Sequence, residues 1–538
     1  MKLFRFRAAI PVLCALAFGP FALADGETET AAAARNAAET RTMKALDAVR
    51  GSPPELRNFL SRMPKGADLH VHLGGAVYAE SLIRAGVEDN LCVDLAALAF
   101  AKSVAMTMSQ PPQPVCGPGR VPAANALADQ HLYDALVNSF SMRSFVPSAG
   151  VSGHDHFFDA FAKMNGIDRR HNGEWLDEVA SRAAAQNEQY LELLHTPKTG
   201  HEVALAEKMG WQDDFENFRT KLLEADLRDD VRAASDEITR MEALRQQREH
   251  CDSPQAMPAC KVEIRYLFQI LRGLPKQFVF AQTLVAFEVA SADPRFVGIN
   301  YVMPEDGYTS MNDYALHMRM VAFFRKHYPK VHVTLHAGEI APGLVPPEGL
   351  CCHIRLALEV AGAERIGHGV DVMYEDRPAG LLGEMAAKHV MVEVNLSSND
   401  LILGVSGKDH PFPIYRRYGV PVALSTDDEG VSRIDLTHEF VRAVQTYNLT
   451  YADLKKMVRT GLEHSFLPGQ SLWKGSDVFL AVHPDCTKDA IGLAKPSARC
   501  GEFLNSSEKA RQQWQLERRF KEFEATFEPP RQSGKKPN

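Results

Sequence analysis

The sequence predicts an α/β fold: a (β/α)8 barrel of the TIM type, with helical insertions and a helical extension at its N-terminus. Three observations lead to this prediction. Eight short apolar, β-branched segments recur along the chain, helical stretches separate them, and no glycine-rich dinucleotide fingerprint follows the first segment. Strands that alternate with helices are typical of a parallel sheet, and eight of them favour a closed barrel over an open, doubly wound sheet.

The eight predicted strands have unequal connections. They cover residues 67–72, 189–195, 262–268, 296–302, 331–336, 364–368, 390–396 and 420–427. The connections 76–188 and 197–261 are far longer than a single helix needs, so each must contain inserted structure. We therefore expect a barrel domain over residues 63–470, with insertions at about 81–150 and 197–260.

Both ends of the chain fall outside the predicted barrel. Residues 1–24 combine a basic start, an apolar stretch and an Ala-Leu-Ala ending, which predicts a cleaved signal peptide and a secreted or periplasmic protein. A membrane anchor is the alternative, although the apolar stretch is short and is broken by prolines. Residues 25–62 predict a helical N-terminal extension. Residues 471–538 predict a C-terminal helical extension, with a helix at 512–527 and a basic tail.

The charge balance describes a mildly acidic protein, with a formal net charge of −8 at pH 7. Nothing in it would attract the phosphate backbone of a nucleic acid or the surface of an anionic membrane. We expect a small molecule as the partner, and a homodimer is left open. The highly charged run 226–250 predicts a solvated helix without a chemical role.

Eight cysteines follow the predicted signal, and an even number in an exported protein predicts disulfide bonds. Closeness in sequence favours three pairs: Cys92 with Cys116, Cys251 with Cys260, and Cys486 with Cys500. The adjacent Cys351 and Cys352 are predicted to be buried thiols. No pair has the spacing of a zinc ribbon, so a metal site built on cysteines is not expected.

Histidines and aspartates at the predicted strand ends suggest a metal site. His70 and His72 are two residues apart in a strand, so both side chains leave the same face. Such a pair alone is weak evidence, because ordinary core or surface histidines give the same pattern. However, His336, His368 and Asp427 also lie where later strands end, and in this fold those ends meet around one mouth. Three imidazoles and a carboxylate around a site with room for water are typical of catalytic zinc, which activates water for hydrolysis.

Four segments carry a family resemblance. MPKGADLHVHLGGA (63–76), TLHAGE (334–339), RIGHGVD (365–371) and LSTDD (424–428), in this order, resemble the adenosine deaminases of the metal-dependent amidohydrolase superfamily. The Met-Pro-Lys-Gly lead and the export signal are similar to the secreted, growth-factor-related branch. The resemblance covers about residues 63–435. It implies deamination of adenosine, or of a related 6-aminopurine nucleoside, to the 6-oxo product (inosine) and ammonia.

The resemblance also implies residue roles. One Zn²⁺ per chain would be bound by His70, His72, His336 and Asp427. Glu339 would protonate the purine nitrogen N1, so that C6 becomes electrophilic as water attacks it. His368 would orient or deprotonate that water, and Asp428 would hold the water and accept a hydrogen bond from the base.

Each of these roles has a simpler alternative. Glu339 could cap a following helix, His368 could be a packing residue between its two glycines, and Asp428 could only brace the zinc site. Phe157, Phe158 and Phe161 resemble an aromatic gate over the purine pocket, but a core role fits them equally. We predict structural roles for three further polar residues: Glu192, His195 and His410.

The predicted substrate contacts depart from the family pattern. Gly74 stands where the family has an aspartate that contacts the ribose 5′-hydroxyl, so that contact is in doubt and space is left for a larger group. Met303 lies near the position of a glycine whose backbone reads the purine edge. Glu429 and Gly430 replace the usual proline after STDD, and Arg433 lies close by. The expected substrate-binding residues are thus Gly74, Phe158, Met303 and Asp428.

Two other functions remain as alternatives. Another amidohydrolase could act on a cyclic amide or a modified purine nucleoside, although the middle strands lack the lysine that bridges two metals in many such enzymes. A non-catalytic, secreted nucleoside-binding protein would need to have lost a catalytic group, yet Glu339, His368 and Asp428 are all present. A cytidine-deaminase site is not expected, because its Cys-x-x-Cys signature is missing.

Overall fold

The structure, a computed structural model, describes residues 29–108, 110 and 112–528. The predicted signal peptide (1–24) and the end of the predicted basic tail (529–538) lie outside these residues. No helix among the described residues is both long enough and apolar enough to cross a membrane.

Eight parallel strands form the central sheet, in the order of the sequence. They are β1 Gly66–His72, β2 Glu188–His195, β3 Glu263–Leu271, β4 Phe296–Val302, β5 His332–Ala337, β6 Arg365–His368, β7 Met391–Val394 and β8 Val422–Leu424. The sheet closes through Asp427, whose N–H donates to the His70 carbonyl (2.8 Å) and whose carbonyl accepts from the His72 N–H (3.0 Å). The predicted (β/α)8 barrel is confirmed, and each strand lies at its predicted place in the sequence.

Helices follow each of the later strands and cover the outside of the barrel. They are Lys276–Ala292, Tyr308–His327, His353–Leu356 with a wider turn at Ala357–Ala361, Pro378–Ala387, Leu396–Leu403, Phe412–Tyr418, Glu429–Ser432, Leu436–Tyr447 and Tyr451–Glu463. The barrel strands are buried almost throughout. The core therefore lies between the sheet and these helices, and the strand ends are free to carry the polar side chains of the site.

The connection between β1 and β2 contains both helices and small sheets. Its helices are Leu73–Ala76, Ala79–Glu88, Gln130–Ser139, Gly153–Lys163 and Asn172–Ala185. Its strands form a three-stranded antiparallel sheet (Cys92–Asp94, Ala99–Ala101 and Arg120–Pro122) and a hairpin (Ala105–Met106 with Pro114–Val115). We expected a helical insertion here. Strands of two or three residues are too short to leave an alternating pattern in the sequence.

The second insertion is helical, with helices His201–Met209, Phe215–Glu224 and Arg228–Arg248. The last of these is the charged run that was predicted to be solvated, and for one of its faces that prediction is wrong. Ala234, Ile238 and Met241 are buried on this face, together with the charged Glu237. The apolar residues of this helix have helical spacing, but the many charged residues between them make that spacing hard to recognise in the sequence.

The two terminal extensions pack against each other. The N-terminal extension forms helices Glu29–Val49 and Pro53–Arg62, and the C-terminal extension ends in helices Ala498–Ser506 and Glu508–Ala525 after a hairpin of Trp473–Gly475 and Val478–Val482. The Phe59 ring meets Phe523 and Phe527 at 5.3 Å between centroids. Gln189, at the start of β2, donates to the Gln512 carbonyl (2.8 Å). Both extensions therefore lie near the amino-terminal end of the barrel.

Four disulfide bonds join the eight cysteines. Three are the pairs favoured by sequence: Cys92–Cys116, Cys251–Cys260 and Cys486–Cys500. The fourth joins Cys351 to Cys352, so the prediction of buried thiols is wrong there. Neither of these two side chains is buried, and adjacent cysteines in a turn bring their sulfurs within bonding reach.

Candidate active site

Four side chains that are distant in sequence converge at the carboxyl-terminal end of the barrel. His70 and His72 come from alternate positions of β1, His336 from β5, and Asp427 from the turn after β8. The three Nε2 atoms lie 3.1 Å (His70 to His336), 3.2 Å (His72 to His336) and 3.3 Å (His70 to His72) apart. Asp427 Oδ1 lies 3.1 Å from His72 Nε2 and 3.5 Å from His70 Nε2.

The other nitrogen of each histidine fixes the position of its proton. His70 Nδ1 lies 2.6 Å from Glu393 Oε2, and His72 Nδ1 lies 2.8 Å from Gln269 Oε1. His336 Nδ1 lies 2.8 Å from Asn300 Oδ1, which also accepts from the His336 backbone N–H. Each Nδ1 therefore donates its proton outward, and the three Nε2 lone pairs point at one another.

This arrangement fits a divalent cation. Three buried lone pairs that face each other without a donor are costly, and a cation at their centre removes that cost. Zinc bonds to nitrogen and oxygen are about 2.0–2.1 Å long, so tetrahedral ligand atoms lie about 3.3 Å apart. The distances between these ligand atoms, from 3.1 to 3.5 Å, agree with that geometry.

A cavity of about 480 Å³ opens beside this cluster. Its polar wall contains Glu339, Asp428 and Gln269 together with three of the four converging residues, His72, His336 and Asp427. Its apolar wall contains Phe157, Phe158, Phe161, Leu271, Val302, Met303 and Ile402. Phe157 also belongs to the buried apolar cluster of the insertion, so its position is compatible with both the gate and the core role. A cavity of this size with a few converging polar groups is typical of a small-molecule site.

Glu339 lies on the loop after β5 and its side chain is buried. No helix begins directly after it in this described stretch, so the capping alternative is wrong. The backbone N–H groups of Gly338 and Glu339 donate to the two carboxylate oxygens of Glu305, at 3.0 and 2.9 Å. Burial raises the pKa of Glu339 well above its ordinary value, and the negative charges of Asp427 and Glu305 add to this effect. Both effects favour the protonated form of the Glu339 carboxyl.

Glu305 itself stays ionised. Burial alone would raise its pKa, but the charges of Arg272 and His353 and the hydrogen bonds it accepts lower the pKa to about 2. Arg272 is also buried, and it donates to the carbonyls of Met303 (3.0 Å) and His336 (3.0 Å). This pair of buried charges thus holds the backbone at the ends of β4 and β5.

His368 is completely buried and does not line the cavity. Its Nδ1 lies 3.5 Å from Glu339 Oε1, and its Nε2 lies 3.9 Å from Asp427 Oδ2. Burial lowers the pKa of His368 to about 3, against the opposing charge of Asp427. The ring is therefore neutral and lies behind the acid and the converging ligands.

Asp428 and Gly74 both face the cavity. Burial, together with the neighbouring Asp427, raises the pKa of Asp428 to about 7, and its Oδ1 has no hydrogen-bond partner among the described residues. Gly74 has open space on its side-chain face, whereas a Cβ on Gly75 would overlap Asp428 Oδ1. Asp428 is thus packed directly on the Gly75 backbone.

Three site residues have left-handed backbone conformations that non-glycine residues seldom adopt. The φ angles are 88° at Met303, 68° at His368 and 63° at Asp427. Each such residue costs of order 1–3 kcal/mol and persists only where the surroundings enforce it. Their concentration at one end of the barrel indicates that the fold is built around this cavity. Met303 is partly exposed and its side chain lines the cavity.

The family model described as "Adenosine deaminase" matches residues 176–474. The chain belongs to the adenosine deaminase family. The match spans β2 to β8 and therefore includes His336, Glu339, His368 and Asp427, whereas His70 and His72 lie ahead of it.

Curated relatives in the adenosine deaminase family match a shorter stretch. An adenosine deaminase of Clostridium perfringens (strain 13 / Type A) is 38% identical over 135 residues, which are 25% of this chain and 37% of that protein. One of Pectobacterium atrosepticum is 35% identical over 155 residues, which are 28% of this chain and 43% of that protein. The chain thus matches less than half the length of these relatives.

A solved structure shares the fold of this adenosine deaminase family member. It is a cog1816 amidohydrolase from Burkhoderia ambifaria with bound Zn, with a TM-score of 0.51 and 14% identity over 88% of this chain and 94% of that one. At this identity the likeness concerns the fold alone.

The residues that support the converging ligands and the Glu339 loop were not singled out from the sequence. They are Glu393, Gln269, Asn300 and Glu305, of which Glu393 and Asn300 are single polar residues inside apolar strands. That pattern is a usable signal, because a polar side chain is buried in a barrel strand only when it has a partner. The residues for which we predicted structural roles lie outside the cavity wall: Glu192 pairs with Arg365, His195 with Glu237, and His410 with Asn399.

Proposed function

We propose that the protein hydrolyses the 6-amino group of adenosine, or of a related 6-aminopurine nucleoside, to give the 6-oxo nucleoside (inosine) and ammonia. The observation that carries the proposal is the placement of a buried carboxyl, Glu339, in the wall of the cavity that His72, His336 and Asp427 also line. An acid and a metal site on one small cavity are what a hydrolytic attack on an aromatic C–N bond requires.

One Zn²⁺ per chain would be held by His70, His72, His336 and Asp427. An ion of this kind lowers the pKa of bound water to about 7 and so would make water a nucleophile at neutral pH. Glu393, Gln269 and Asn300 keep the three histidines in the tautomer that such a ligand set needs.

Glu339 would donate its proton to purine N1. A neutral aminopurine ring resists attack at C6 because the added electrons have no site that stabilises them, and protonation at N1 supplies one. Burial raises the pKa of Glu339 and so favours the protonated form from which this proton is donated. The clamp of Glu305 on the Gly338 and Glu339 backbone holds the acid still while the base is bound.

His368 and Asp428 would act on the attacking water. His368 Nε2 is near Asp427, so the ring can orient the water or take its proton. Asp428 lines the cavity, and its Oδ1 has no hydrogen-bond partner among the described residues, so the carboxyl would hold the water and accept a hydrogen bond from the base. Gly74, Phe158 and Met303 would contact the rest of the nucleoside, and the open space at Gly74 leaves room for a group larger than a hydroxyl.

Ammonia release from a panel of nucleosides tests this function. The panel contains adenosine, 2′-deoxyadenosine, AMP and a 5′-deoxy-5′-thio analogue, with the wild type and Glu339→Gln measured in parallel. We expect deamination by the wild type and a loss of about 100- to 10,000-fold in kcat for the variant, with zinc still bound. Ammonia formed by the variant at the wild-type rate would refute the role of Glu339. No deamination of any nucleoside by the zinc-loaded wild type would leave the two alternatives, another amidohydrolase or a binding protein.

The proposal includes export to an oxidising compartment, as in the secreted branch of the family. Four disulfide bonds support this location, since such bonds are rare in reducing cytosol. Expression with a periplasmic reporter fused after residue 30 tests it. Reporter activity and cleavage near residue 24 are expected, and a reporter retained in the cytosol would contradict export. A homodimer stays open, and the mass of the purified protein in solution decides it.

A further inference from the structure

Three buried polar side chains, His410, Asn399 and His368, form a chain of hydrogen bonds that ends on His368. Asn399 lies in the helix Leu396–Leu403 and His410 just before the helix Phe412–Tyr418. Both are as deeply buried as His368 itself. His410 Nε2 lies 3.0 Å from Asn399 Oδ1, and Asn399 Nδ2 lies 2.9 Å from His368 Nδ1.

The direction of these hydrogen bonds is fixed by a backbone group. The N–H of Phe412 points at His410 Nδ1 (3.1 Å) and can only donate, so this nitrogen holds a lone pair. The proton of neutral His410 is therefore on Nε2, and it is donated to Asn399 Oδ1. The opposite orientation of the Asn399 amide would set its N–H against the His410 N–H, so that orientation is excluded.

The Asn399 amide must then donate from Nδ2 to His368 Nδ1. This nitrogen keeps its lone pair, so His368 carries its single proton on Nε2, the atom that lies 3.9 Å from Asp427 Oδ2. Asn395 Nδ2 lies 3.4 Å from His368 Nδ1 and 3.5 Å from Nε2, so it does not distinguish the two tautomers, and the assignment depends on the shorter contact with Asn399. A cationic ring would need a second proton on Nδ1, which would face the N–H of the Asn399 amide.

We infer that His410 and Asn399 are positioning residues that hold His368 as a neutral hydrogen-bond donor through Nε2–H, so that it orients the attacking water and does not take its proton. This inference rests on the proposed function for the identity of the reaction. The tautomer itself follows from the hydrogen-bond chain alone. It assigns a role to His410, a residue that sequence reasoning left as structural.

Nitrogen NMR on protein with ¹⁵N-labelled histidine tests the inference directly. Two-bond ¹H–¹⁵N correlations distinguish an Nε2–H ring from an Nδ1–H ring, and a spectrum of His368→Gln identifies the His368 signals. We expect Nε2–H in the zinc-loaded wild type. A His368 signal with the proton on Nδ1, or on both nitrogens, at pH 7 would overturn the inference whatever the activity.

Asn399→Asp reverses the direction of the hydrogen bond to His368 with almost no change in the shape of the side chain. A carboxylate can only accept, so the His368 proton should move to Nδ1 and a lone pair should face Asp427. We expect kcat to fall about 10- to 100-fold, with KM within about threefold and zinc content unchanged. His410→Gln, which keeps an amide N–H for Asn399, should retain the wild-type tautomer and most of the activity.

Asn187→Asp is the matched control, because it makes the same chemical change at the amino-terminal end of the barrel. It should keep both the tautomer and kcat. An Nε2–H signal of His368 that persists in Asn399→Asp would contradict the inference. An equal loss of kcat in Asn399→Asp, His410→Gln and Asn187→Asp would contradict it as well. If the wild type proves inactive on every nucleoside, the proposed function fails while the NMR measurement still decides the tautomer.

Discussion

Replacing Gly75 with alanine should disable the site through Asp428 alone. Gly75 lies in the short helix after β1, and a Cβ built on it would overlap Asp428 Oδ1 and lie 2.5 Å from Asp428 Cγ. Asp428 Oδ1 lies 1.6 Å from this Cβ position, and non-bonded atoms in contact lie about 3.5 Å apart, so the carboxylate must move by roughly 1.5 to 2 Å. Since a displacement of about 1 Å can already cost about 100-fold, we expect kcat/KM to fall by at least that factor.

Gly74→Ala is the matched control for this substitution. A Cβ at Gly74 meets no heavy atom within 4 Å, although the two glycines are neighbours in the same short helix. The assay is ammonia release from adenosine, with zinc content and thermal unfolding measured on the same samples. Gly74→Ala should keep kcat within about threefold of the wild type, because Asp428 is not displaced, and its effect should be confined to KM; both variants should bind zinc. A Gly75→Ala enzyme with wild-type kcat/KM would refute the reasoning, and so would equal losses of kcat in both variants.

Three further predictions concern other parts of the molecule. Burial alone would raise the pKa of Glu237, but its hydrogen bond with His195 and the charge of Arg169 lower it to about 2, so its stabilising effect is present above about pH 4.5 and is lost as the pH falls towards 2. In urea unfolding, Glu237→Gln should therefore destabilise the protein at pH 7, and the difference from the wild type should shrink below pH 4.5; a difference that is constant with pH would contradict this. Replacing Cys486 and Cys500 together by serine opens a loop with a sequence separation of 14, and the free energy of unfolding should fall by about 3 kcal/mol, whereas no change would show that the bond is dispensable. Phe158→Ala removes part of the apolar cavity wall and should raise KM for adenosine about tenfold with little change in kcat; an unchanged KM would show that Phe158 does not contact the substrate.

The barrel could be predicted because its strands leave a strong local pattern. Each is a short segment in which apolar or β-branched residues recur, and eight such segments separated by helices are compatible with few other folds. The small sheets between β1 and β2 could not be predicted, since strands such as Cys92–Asp94 are stabilised by their partners and a disulfide bond and not by their own composition. The buried face of the helix Arg228–Arg248 was hidden for a related reason, because charged residues such as Glu237 are buried there with partners from other segments.

The converging ligands could be proposed from sequence because imidazoles and carboxylates at strand ends are conspicuous. The residues that hold these ligands in place could not be proposed in the same way, because nothing in the local sequence shows whether Glu393 or Asn300 faces the barrel interior or the helices outside it. That depends on how far the strands tilt when the barrel closes. The same limit applies to His410, whose role depends on a contact with Asn399 across two helices.

X-ray absorption at the zinc edge on the purified protein tests the central claim most directly. We expect one zinc per chain, bound by three imidazole nitrogens and a carboxylate oxygen at about 2.0–2.1 Å. In His336→Ala the spectrum should show one imidazole ligand fewer. Protein that folds and deaminates adenosine without zinc, or zinc bound by sulfur at about 2.3 Å, would contradict the claim.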